Sequence, residues 1–581
     1  MIDNLTQALA AGSRSIVAWA DILDRINVFP IPDGDTGRNL VMTLSPLRQP
    51  ALDLDKAAER LLLAARGNSG NIAARFLSGL LACRDLARLP EDCARGRDLA
   101  YEAVPDPKPG TILTLFDALV DALNQKPPAE GEEWVHFLLN ALEDAVRATT
   151  QSLPELKEAG VVDSGALGMF IFFDSFFSTL IDREVSVSRA AEAFRGFLDL
   201  TDNWRKNEEQ GYCLDVVLEV GQVAAGAVNR IYDLGESVVA LSDGQYLKVH
   251  LHTGSQEMVR ENLESMGRIV RWSADDLAEQ TAKFSGLKVQ SAIHVMTDAA
   301  GSITRADAAA LGITLLDSYI NVGHESLPET YLPPAALFEA MRGGVKVSTS
   351  QASIMERHQC YRKALDLYPR VLYICVGSVF TTNYQVALDW KTKNDPEDRL
   401  IVLDSGSASG RLGLAARAVA QLALETTDPE KVIAFARRAV AECREYLFLD
   451  KLQYLAAGGR LSKTSAFFGD VLQMKPVVSP LPQGAEKVAV VRTRAGQVQF
   501  AFDRLKEALA KSRKARIMLE YTDNTDWLLG EIKPEIERRF PWAELLVTPM
   551  SLTSSAHMGP GTWGVAFLKQ YDMTDWKDAP V

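Results

Sequence analysis

The chain has no apolar run long enough to cross a bilayer, no cysteines at CxxC spacing and no excess of positive charge. Its most apolar segments, Met169 to Leu180 and Leu61 to Ala65, fall short of the ~20 residues that a membrane-spanning helix needs, so no transmembrane segment is expected. Cys83, Cys93, Cys213, Cys360, Cys375 and Cys443 are scattered, which argues against a disulfide framework and fits reduced thiols in a cytoplasm. The stretch Met1-Ile2-Asp3-Asn4 carries neither a basic n-region nor a continuous apolar run. No secretory signal is expected there, and the expected location is cytoplasmic. Lysine and arginine number 62 against 76 aspartates and glutamates, a net charge of −14, and nucleic acid is not an expected partner because phosphate-backbone binding needs a basic face. The sequence also lacks internal repeats and low-complexity segments.

What is present is an ordinary globular composition: 581 residues, 47% of them hydrophobic, enough for about three or four domains. Residues 1–200 repeat apolar positions at helical spacing, as in Ala57-Ala58-x-x-Leu61-Leu62-x-x-Ala65 and Trp134-x-x-Phe137-Leu138-x-x-Ala141-Leu142, and predict an all-α segment. Pro- and charge-rich stretches at Leu89 to Gly110 and Gln125 to Glu133 read as connections between helices. The polar run Thr201 to Gln210 marks a boundary. Tyr212 to Val220 and Ser237 to His252 are β-branched-rich and predict a small α+β domain over 205–285. From 288 to 575 strand-like segments (Ala292 to Met296, Arg370 to Val376) alternate with helical ones (Ser353 to Leu367, Gly413 to Leu424), which predicts an α/β domain.

The densest polar stretch is Asn27-Val28-Phe29-Pro30-Ile31-Pro32-Asp33-Gly34-Asp35-Thr36-Gly37-Arg38-Asn39. On a helix, carboxylates at i and i+2 point about 200° apart and could not share an ion. Pro30, Pro32, Gly34 and Gly37 exclude helix here, so Asp33 and Asp35 can converge, and paired carboxylates suit Mg²⁺ with phosphates and water completing its sphere. A surface turn with solvated aspartates fits the same residues. Further small polar clusters stand at apparent helix starts: Ala65-Arg66-Gly67-Asn68-Ser69-Gly70-Asn71, Gly110-Thr111-Ile112-Leu113-Thr114, and Gly160-Val161-Val162-Asp163-Ser164-Gly165-Ala166-Leu167-Gly168. Exposed N–H groups at such starts favour anions such as phosphate, although each alone is also an ordinary cap.

Together these motifs resemble the DhaL-type nucleotide-binding domain of the dihydroxyacetone kinases and bacterial fatty acid kinases, and the Asn-Val-Phe-Pro-x-Pro-Asp-Gly-Asp-Thr-Gly form is closer to the latter. The resemblance implies a helical barrel over residues 1–200 that holds ATP and two Mg²⁺ ions. It places Asp33 and Asp35 among the metal ligands, Asn27 near a third, and Thr36, Asn39, Asn68, Ser69 and Thr111 in segments that contact nucleotide. Asn71 and Ala166 depart from the family's Gly-Asn-Ser-Gly-Val and Asp-Ser-Gly-Gly patterns, which alters the fine shape of the nucleotide pocket.

In the middle segment His250 and His252 are two apart on a predicted strand and point to one face, so the pair can share an ion. With Cys213 they form a set that suits Zn²⁺. Two histidines on a polar strand face beside an unrelated buried cysteine fit the residues equally. Gly211-Tyr212-Cys213 and Lys248-Val249-His250-Leu251-His252-Thr253 resemble the middle domain of the fatty acid kinases, which favours zinc.

Beyond residue 288, Ser348-Thr349-Ser350-Gln351, Ser378-Val379-Phe380-Thr381-Thr382-Asn383, Gly458-Gly459-Arg460-Leu461-Ser462 and Ser555-Ala556-His557-Met558-Gly559-Pro560-Gly561 offer hydroxyls, a guanidinium and an imidazole, the donor set of a carboxylate or phosphate site. Ser353 and Glu356 fit a capping box. No nucleophile stands beside a base. These segments, with Thr297-Asp298, Asp404-Ser405 and Met474-Lys475-Pro476, resemble the DegV family of fatty-acid-binding proteins. The resemblance implies a tunnel for an acyl chain with Thr349, Ser350, Thr381, Arg460 and His557 at the carboxylate. Thr381 replaces the family's serine and a glycine is lost nearby, which tightens the pocket.

The combined resemblance implies a fatty acid kinase on one chain: ATP-dependent phosphorylation of a fatty acid carboxylate, with Asp33, Asp35, Arg460 and His557 at the reaction centre. An acyltransferase would accept the acyl phosphate, and transfer would occur within one chain or, where the two sites cannot meet there, in trans within a homodimer. Contact with a membrane would be transient. Two alternatives are open: phosphotransfer to a small hydroxyl substrate as in the dihydroxyacetone kinases, with the DegV-like half sensing lipid, and a non-enzymatic lipid-binding protein.

Overall fold

The structure is a computed structural model of the whole chain; it describes all residues except 1, 50–51, 129–130, 182–187, 202–203, 205–209, 222–229, 243–244, 284–290, 324, 452–453, 455–473, 511, 513 and 570–581. The chain forms two compact units, Met1–Lys288 and Val289–Val581.

The first unit begins with helices α1 (Ile2–Arg25), α2 (Thr36–Thr43), α3 (Leu54–Ala64), α4 (Gly67–Leu80), α5 (Leu89–Glu102), α6 (Ile112–Gln125), α7 (Glu132–Ser152), α8 (Pro154–Ala159), α9 (Ser164–Leu180) and α10 (Ser188–Ala193). Helix α9 organises them. Every residue from Ser164 to Ser178 is buried, and a helix apolar on all sides must be packed on all sides. Its phenylalanines interlock with neighbours: Phe173 meets Phe76 and Phe116 edge-on, and those two rings stack with centroids 4.0 Å apart. The stretch Leu89 to Gly110 is not a connection, because α5 occupies most of it. Pro90 sits in the first turn, where no N–H is needed, Glu91 and Asp92 suit the dipole there, and Leu89, Cys93, Gly96 and Ala100 form a buried stripe at helical spacing. Charge on the outer face had hidden that stripe.

Strands β1 (Tyr212–Glu219), β2 (Glu236–Ser242), β3 (Tyr246–Thr253) and β4 (Arg268–Asp276) form an antiparallel sheet in the order β2-β3-β1-β4. Leu214, Val216, Leu218, Val249 and Leu251 point to one face and make a core with Val259 and Leu263 of the helix Gln256–Glu264. The register sets Cys213 opposite His252, Asp215 opposite His250 and Val217 opposite Lys248, so these side chains share the other face. That face turns to the helices: Cys213 packs with Ile31, and Val239 and Leu241 pack with Leu62 and Ala103.

The second unit holds strands β5 (His294–Asp298), β6 (Ile313–Leu316), β7 (Ser318–Val322), β8 (Glu325–Pro328), β9 (Val347–Gln351), β10 (Val371–Cys375), β11 (Leu400–Asp404), β12 (Arg444–Phe448), β13 (Lys475–Leu481), β14 (Gly484–Val491), β15 (Ala515–Tyr521), β16 (Ala543–Pro549) and β17 (Trp563–Lys569). They form a parallel sheet, β11-β10-β5-β6, a six-stranded mixed sheet, β14-β13-β12-β17-β15-β16, and a small antiparallel sheet, β8-β7-β9. Helix Ser409–Glu425 lies between the two larger sheets, its apolar residues joined in one core with Val295, Leu372 and Ile374 on one side and Met518 and Ala566 on the other. The capping box forms as the sequence indicates: Ser353 Oγ accepts the Glu356 N–H, and Glu356 Oε2 accepts the Ser353 N–H at 2.7 Å. Among the described residues, no helix is long and apolar enough to cross a membrane.

Candidate nucleotide and metal site

The aspartate loop leaves α1 at Asn27 and turns through a cis Phe29-Pro30 peptide and Gly34 at φ 68° before α2 begins. Asp24 anchors its exit, its Oδ1 accepting the N–H groups of Gly37 at 2.6 Å and Arg38 at 3.1 Å. Gly37 is required there, since a Cβ would stand 2.1 Å from the Ala20 carbonyl oxygen. Asn27 Nδ2 donates to Asp33 Oδ1 at 2.6 Å, so the structure sets Asn27 as a neighbour that orients Asp33. Ser164, the first residue of α9, donates to Asn27 Oδ1 at 3.3 Å and to Thr36 Oγ1 at 3.0 Å. Burial, and then the adjacent charge of Asp35, push the Asp33 carboxyl well above its ordinary value. Burial also raises Asp35, against the opposing effects of Arg38, the Asn39 side chain and His250. Two carboxylates so placed are short of countercharge, which a divalent cation supplies.

Helix starts converge on this loop. Gly67 opens α4 at φ 58° with its Cα against Asn39, where a Cβ would lie 2.0 Å from Asn39 Nδ2. Asp163 caps α9, accepting the Ala166 N–H at 2.7 Å and the N–H of Ile112 in the first turn of α6; burial pushes its carboxyl up to about 6. Gly165 leaves room for Ser69 and Ile112 beside α9. The N-termini of α2, α4, α6 and α9 therefore lie near one another, several of their first N–H groups held by Asp24, Asp163 and Asp215, and their dipoles favour an anion there. A solvent-open pocket is lined here by Asn27, Asp33, Asp35, Thr36, Asn39, Asn68 and Ser69. Asn68 Oδ1 is buried without a hydrogen bond among the described residues. Thr111 stands at the N-cap position of α6 without a side-chain cap bond, its hydroxyl donating to the Lys108 carbonyl at 2.9 Å; it is not in the lining.

His250 and His252 line the same pocket. The strand spacing put them on one face, but nothing in the sequence placed that face beside Asp33 and Asp35. Ligand atoms of Cys213, His250 and His252 lie within 4.8 Å of one another, all three residues buried. Burial and the neighbouring His250 push His252 down to about 3, so it is a neutral, lone-pair-bearing ring. Burial and the nearby Asp35 and Asp215 hold the Cys213 thiol protonated. Among the described residues His252 Nδ1 is buried without a hydrogen bond, while His250 Nδ1 lies 3.5 Å from Asp215 Oδ1. One sulfur and two imidazoles, desolvated and converging, fit Zn²⁺, whose charge would offset the cost of the thiolate. Asp215 and Lys248 escaped the sequence reading. Their signal was the period of two: each is two residues from a member of the set and shares its face.

In the second unit Thr349 Oγ1 and His557 Nε2 are 3.1 Å apart. Ser350 is not with them. Alternation along β9 turns it to the exposed face beside Ser348, where Asn321 Nδ2 approaches at 3.4 Å, so it is withdrawn from the head-group set. Thr381 lies in the 378–383 turn, its hydroxyl accepting the Asn383 N–H at 3.4 Å. Arg357, also missed, braces that turn by donating to Gln351 at 3.1 Å, Thr382 at 3.2 Å and Asn383 at 2.9 Å. Arg460 and the rest of Gly458 to Ser462 lie outside the described residues.

The fold is that of a multidomain chain with a helical part, a small middle domain and an α/β half. Family models locate its parts: residues 30–178 match the DAK2 domain, residues 209–284 the FakA-like middle domain of fatty acid kinases, and residues 292–570 the uncharacterised DegV family. Among curated proteins, an uncharacterized protein of Staphylococcus saprophyticus is 28% identical over 306 residues, 47% of this chain and 54% of that protein. An uncharacterized protein of Staphylococcus haemolyticus is 27% identical over 303 residues, with 46% and 54% covered. The chain spans about half the length of these relatives. Similar solved structures include a fatty-acid-binding DegV family protein from Thermus thermophilus (22% identity, 48% of this chain and 99% of that one, TM-score 0.45). Another is the Streptococcus pneumoniae fatty acid kinase B3 protein loaded with linoleic acid (18% identity, 48% and 99%, TM-score 0.42).

Proposed function

We propose that the chain transfers the γ-phosphate of ATP to the carboxylate of a fatty acid held by its DegV-like half, giving an acyl phosphate and ADP. The observation that carries this reading is the single pocket in which Asp33, Asp35, the N-terminal turn of α4 and the histidine pair face one another. Asp33 and Asp35 would hold Mg²⁺, and Cys213, His250 and His252 would hold Zn²⁺; both ions supply positive charge where phosphate oxygens gather. Asn68, Ser69, Thr36 and Asn39 bind and orient the phosphate chain, with the converging helix dipoles adding fixed positive potential.

A fatty acid carboxyl titrates near 4 and is ionised at neutral pH, so its oxygen can attack the γ-phosphorus directly while the bond to the ADP oxygen breaks. No proton has to be removed from a carboxylate acceptor. Thr349 and His557 present a hydroxyl and an imidazole to the head group, and Arg460 is assigned to the same task. The ligand class rests on the resemblance of this half to the DegV family of fatty-acid-binding proteins. Release of the acyl phosphate calls for an acyl-accepting enzyme downstream.

The test is to identify the lipid that co-purifies with the chain by mass spectrometry, then incubate the protein with ATP, Mg²⁺, that acid and hydroxylamine. Acyl hydroxamate is expected, and its absence despite bound lipid and ATP turnover rules out carboxylate phosphorylation.

A further inference from the structure

Asp215 has no role in the scheme above, yet it stands between two parts of the pocket. It enters from β1 on the face that carries Cys213, His250 and Lys248. Its Oδ2 accepts the N–H of Gly67, the first residue of α4, at 3.2 Å, across 148 positions of sequence. Its Oδ1 lies 3.0 Å from Lys248 Nζ and 3.5 Å from His250 Nδ1. Lys248 is 1% exposed and Asp215 7%. A helix start needs only a local serine or aspartate for its first N–H groups. Drawing a buried carboxylate from another domain, with a buried ammonium to balance it, is a costly way to cap a helix.

We propose that Asp215 is a positioning residue that couples the Cys213, His250 and His252 set to the phosphate-facing turn of α4; the inference rests on reading this pocket as a nucleotide and metal site. Oδ1 beside Nδ1 keeps the His250 proton on that nitrogen and leaves the Nε2 lone pair for a cation, as an outer-shell carboxylate does at other histidine metal sites. Lys248 balances the carboxylate, so Asp215 orients His250 without adding to the negative charge of Asp33 and Asp35. Oδ2 fixes Gly67, and with it the turn that presents Asn68 and Ser69. One carboxyl group therefore sets both the ring that a cation draws on and the backbone that a phosphate meets. Occupancy of either site changes affinity at the other, by the same factor in both directions.

The experiment uses the full chain. Calorimetry gives the affinity for Mg²⁺ with a non-hydrolysable ATP analogue, with Zn²⁺ loaded and after its removal by chelation, in wild type and in Asp215→Asn. Asparagine keeps an acceptor for Gly67 but loses the charge that faces Lys248 and His250. In the wild type the analogue's affinity should differ at least about fivefold between the two metal states. In Asp215→Asn that ratio should fall toward one and Zn²⁺ affinity should drop about 10–100-fold. Should the single variant not fold, Asp215→Asn with Lys248→Met, which removes the ammonium left unpaired, takes its place. Equal affinities in both metal states of the wild type overturn the proposal. So does a ratio that persists in the variant, because Asp215 would then only balance Lys248. Coupling without acyl phosphate would sink the kinase reading and leave this proposal standing.

Discussion

The two polar centres of the chain are built on opposite plans. In the first unit the pocket is lined with groups whose hydrogen-bonding capacity is partly unused: Asn68 Oδ1 and His252 Nδ1 have no hydrogen bond among the described residues, and Asp33 and Asp35 are buried side by side. In the second unit Asp298, Asn383, Arg357 and Gln351 are joined in one network, in which Arg357 Nε alone of the named groups has no hydrogen bond among the described residues. Asp298 accepts from Tyr373 OH at 2.8 Å, the Val376 N–H at 2.6 Å and Asn383 Nδ2 at 2.8 Å, and Arg357 ties Asn383 to Gln351 and Thr382. Unused capacity in a buried site costs stability and is recovered when a charged ligand or cation arrives. A network whose groups pair with one another costs less and holds a fixed shape. The first arrangement suits a site for small charged groups.

Substitutions can break this contrast. The largest effect is expected from Asp35→Ala: phosphate transfer should fall at least about 100-fold, bound lipid should be retained, and thermal stability without nucleotide should hold or rise, since a buried carboxylate is removed. Loss of lipid together with activity would mean misfolding instead. In the second unit Asp298→Ala strands three buried donors and should cost about 3–5 kcal/mol in the unfolding transition of that unit, read by denaturant titration.

A smaller and pH-dependent effect belongs to Glu329, which accepts the Thr553 N–H and Oγ1, each at 3.0 Å, next to the segment carrying His557. Burial pushes its carboxyl up to about 8. A folded-state value above the unfolded one means that the folded chain keeps a proton the unfolded chain has lost. The stabilising contribution is therefore complete below about pH 4.5 and is lost as pH rises through about 8. Glu329→Gln, which stays neutral, should gain about 3–4 kcal/mol on the wild type between pH 5 and 8. A difference that is flat with pH would contradict this. The smallest effect is expected at Ser350, where alanine should change stability by under about 0.5 kcal/mol and leave lipid affinity unchanged, while Thr349→Ala should weaken it.

Much of this was legible in the sequence, and the failures have physical causes. Prolines and glycines around Asp33 and Asp35 announced an irregular loop because they act on the backbone locally. Alternation put His250 and His252 on one face for the same reason. Local rules could not say which face meets which. That the histidines stand beside the aspartates depends on the packing of Ile31 on Cys213 and of Leu62 on Val239, contacts that span much of the first unit. Asp215 and Lys248 looked like polar interruptions of a strand, although the same alternation made them neighbours of the metal-type set. Ser350 was misread because a hydroxyl cluster was taken as a unit when consecutive residues on a strand face opposite ways. Helix α5 was missed because its charged surface outweighed the buried stripe of Leu89, Cys93, Gly96 and Ala100.

The central claim is that the open pocket of the first unit phosphorylates a carboxylate held by the second. Its most direct test is the yield of acyl hydroxamate against ADP when the full chain, loaded with its own lipid, is given ATP and Mg²⁺ in hydroxylamine. The account predicts hydroxamate and ADP in equal amounts, with both lost in Asp35→Ala. ADP formed without hydroxamate would contradict it.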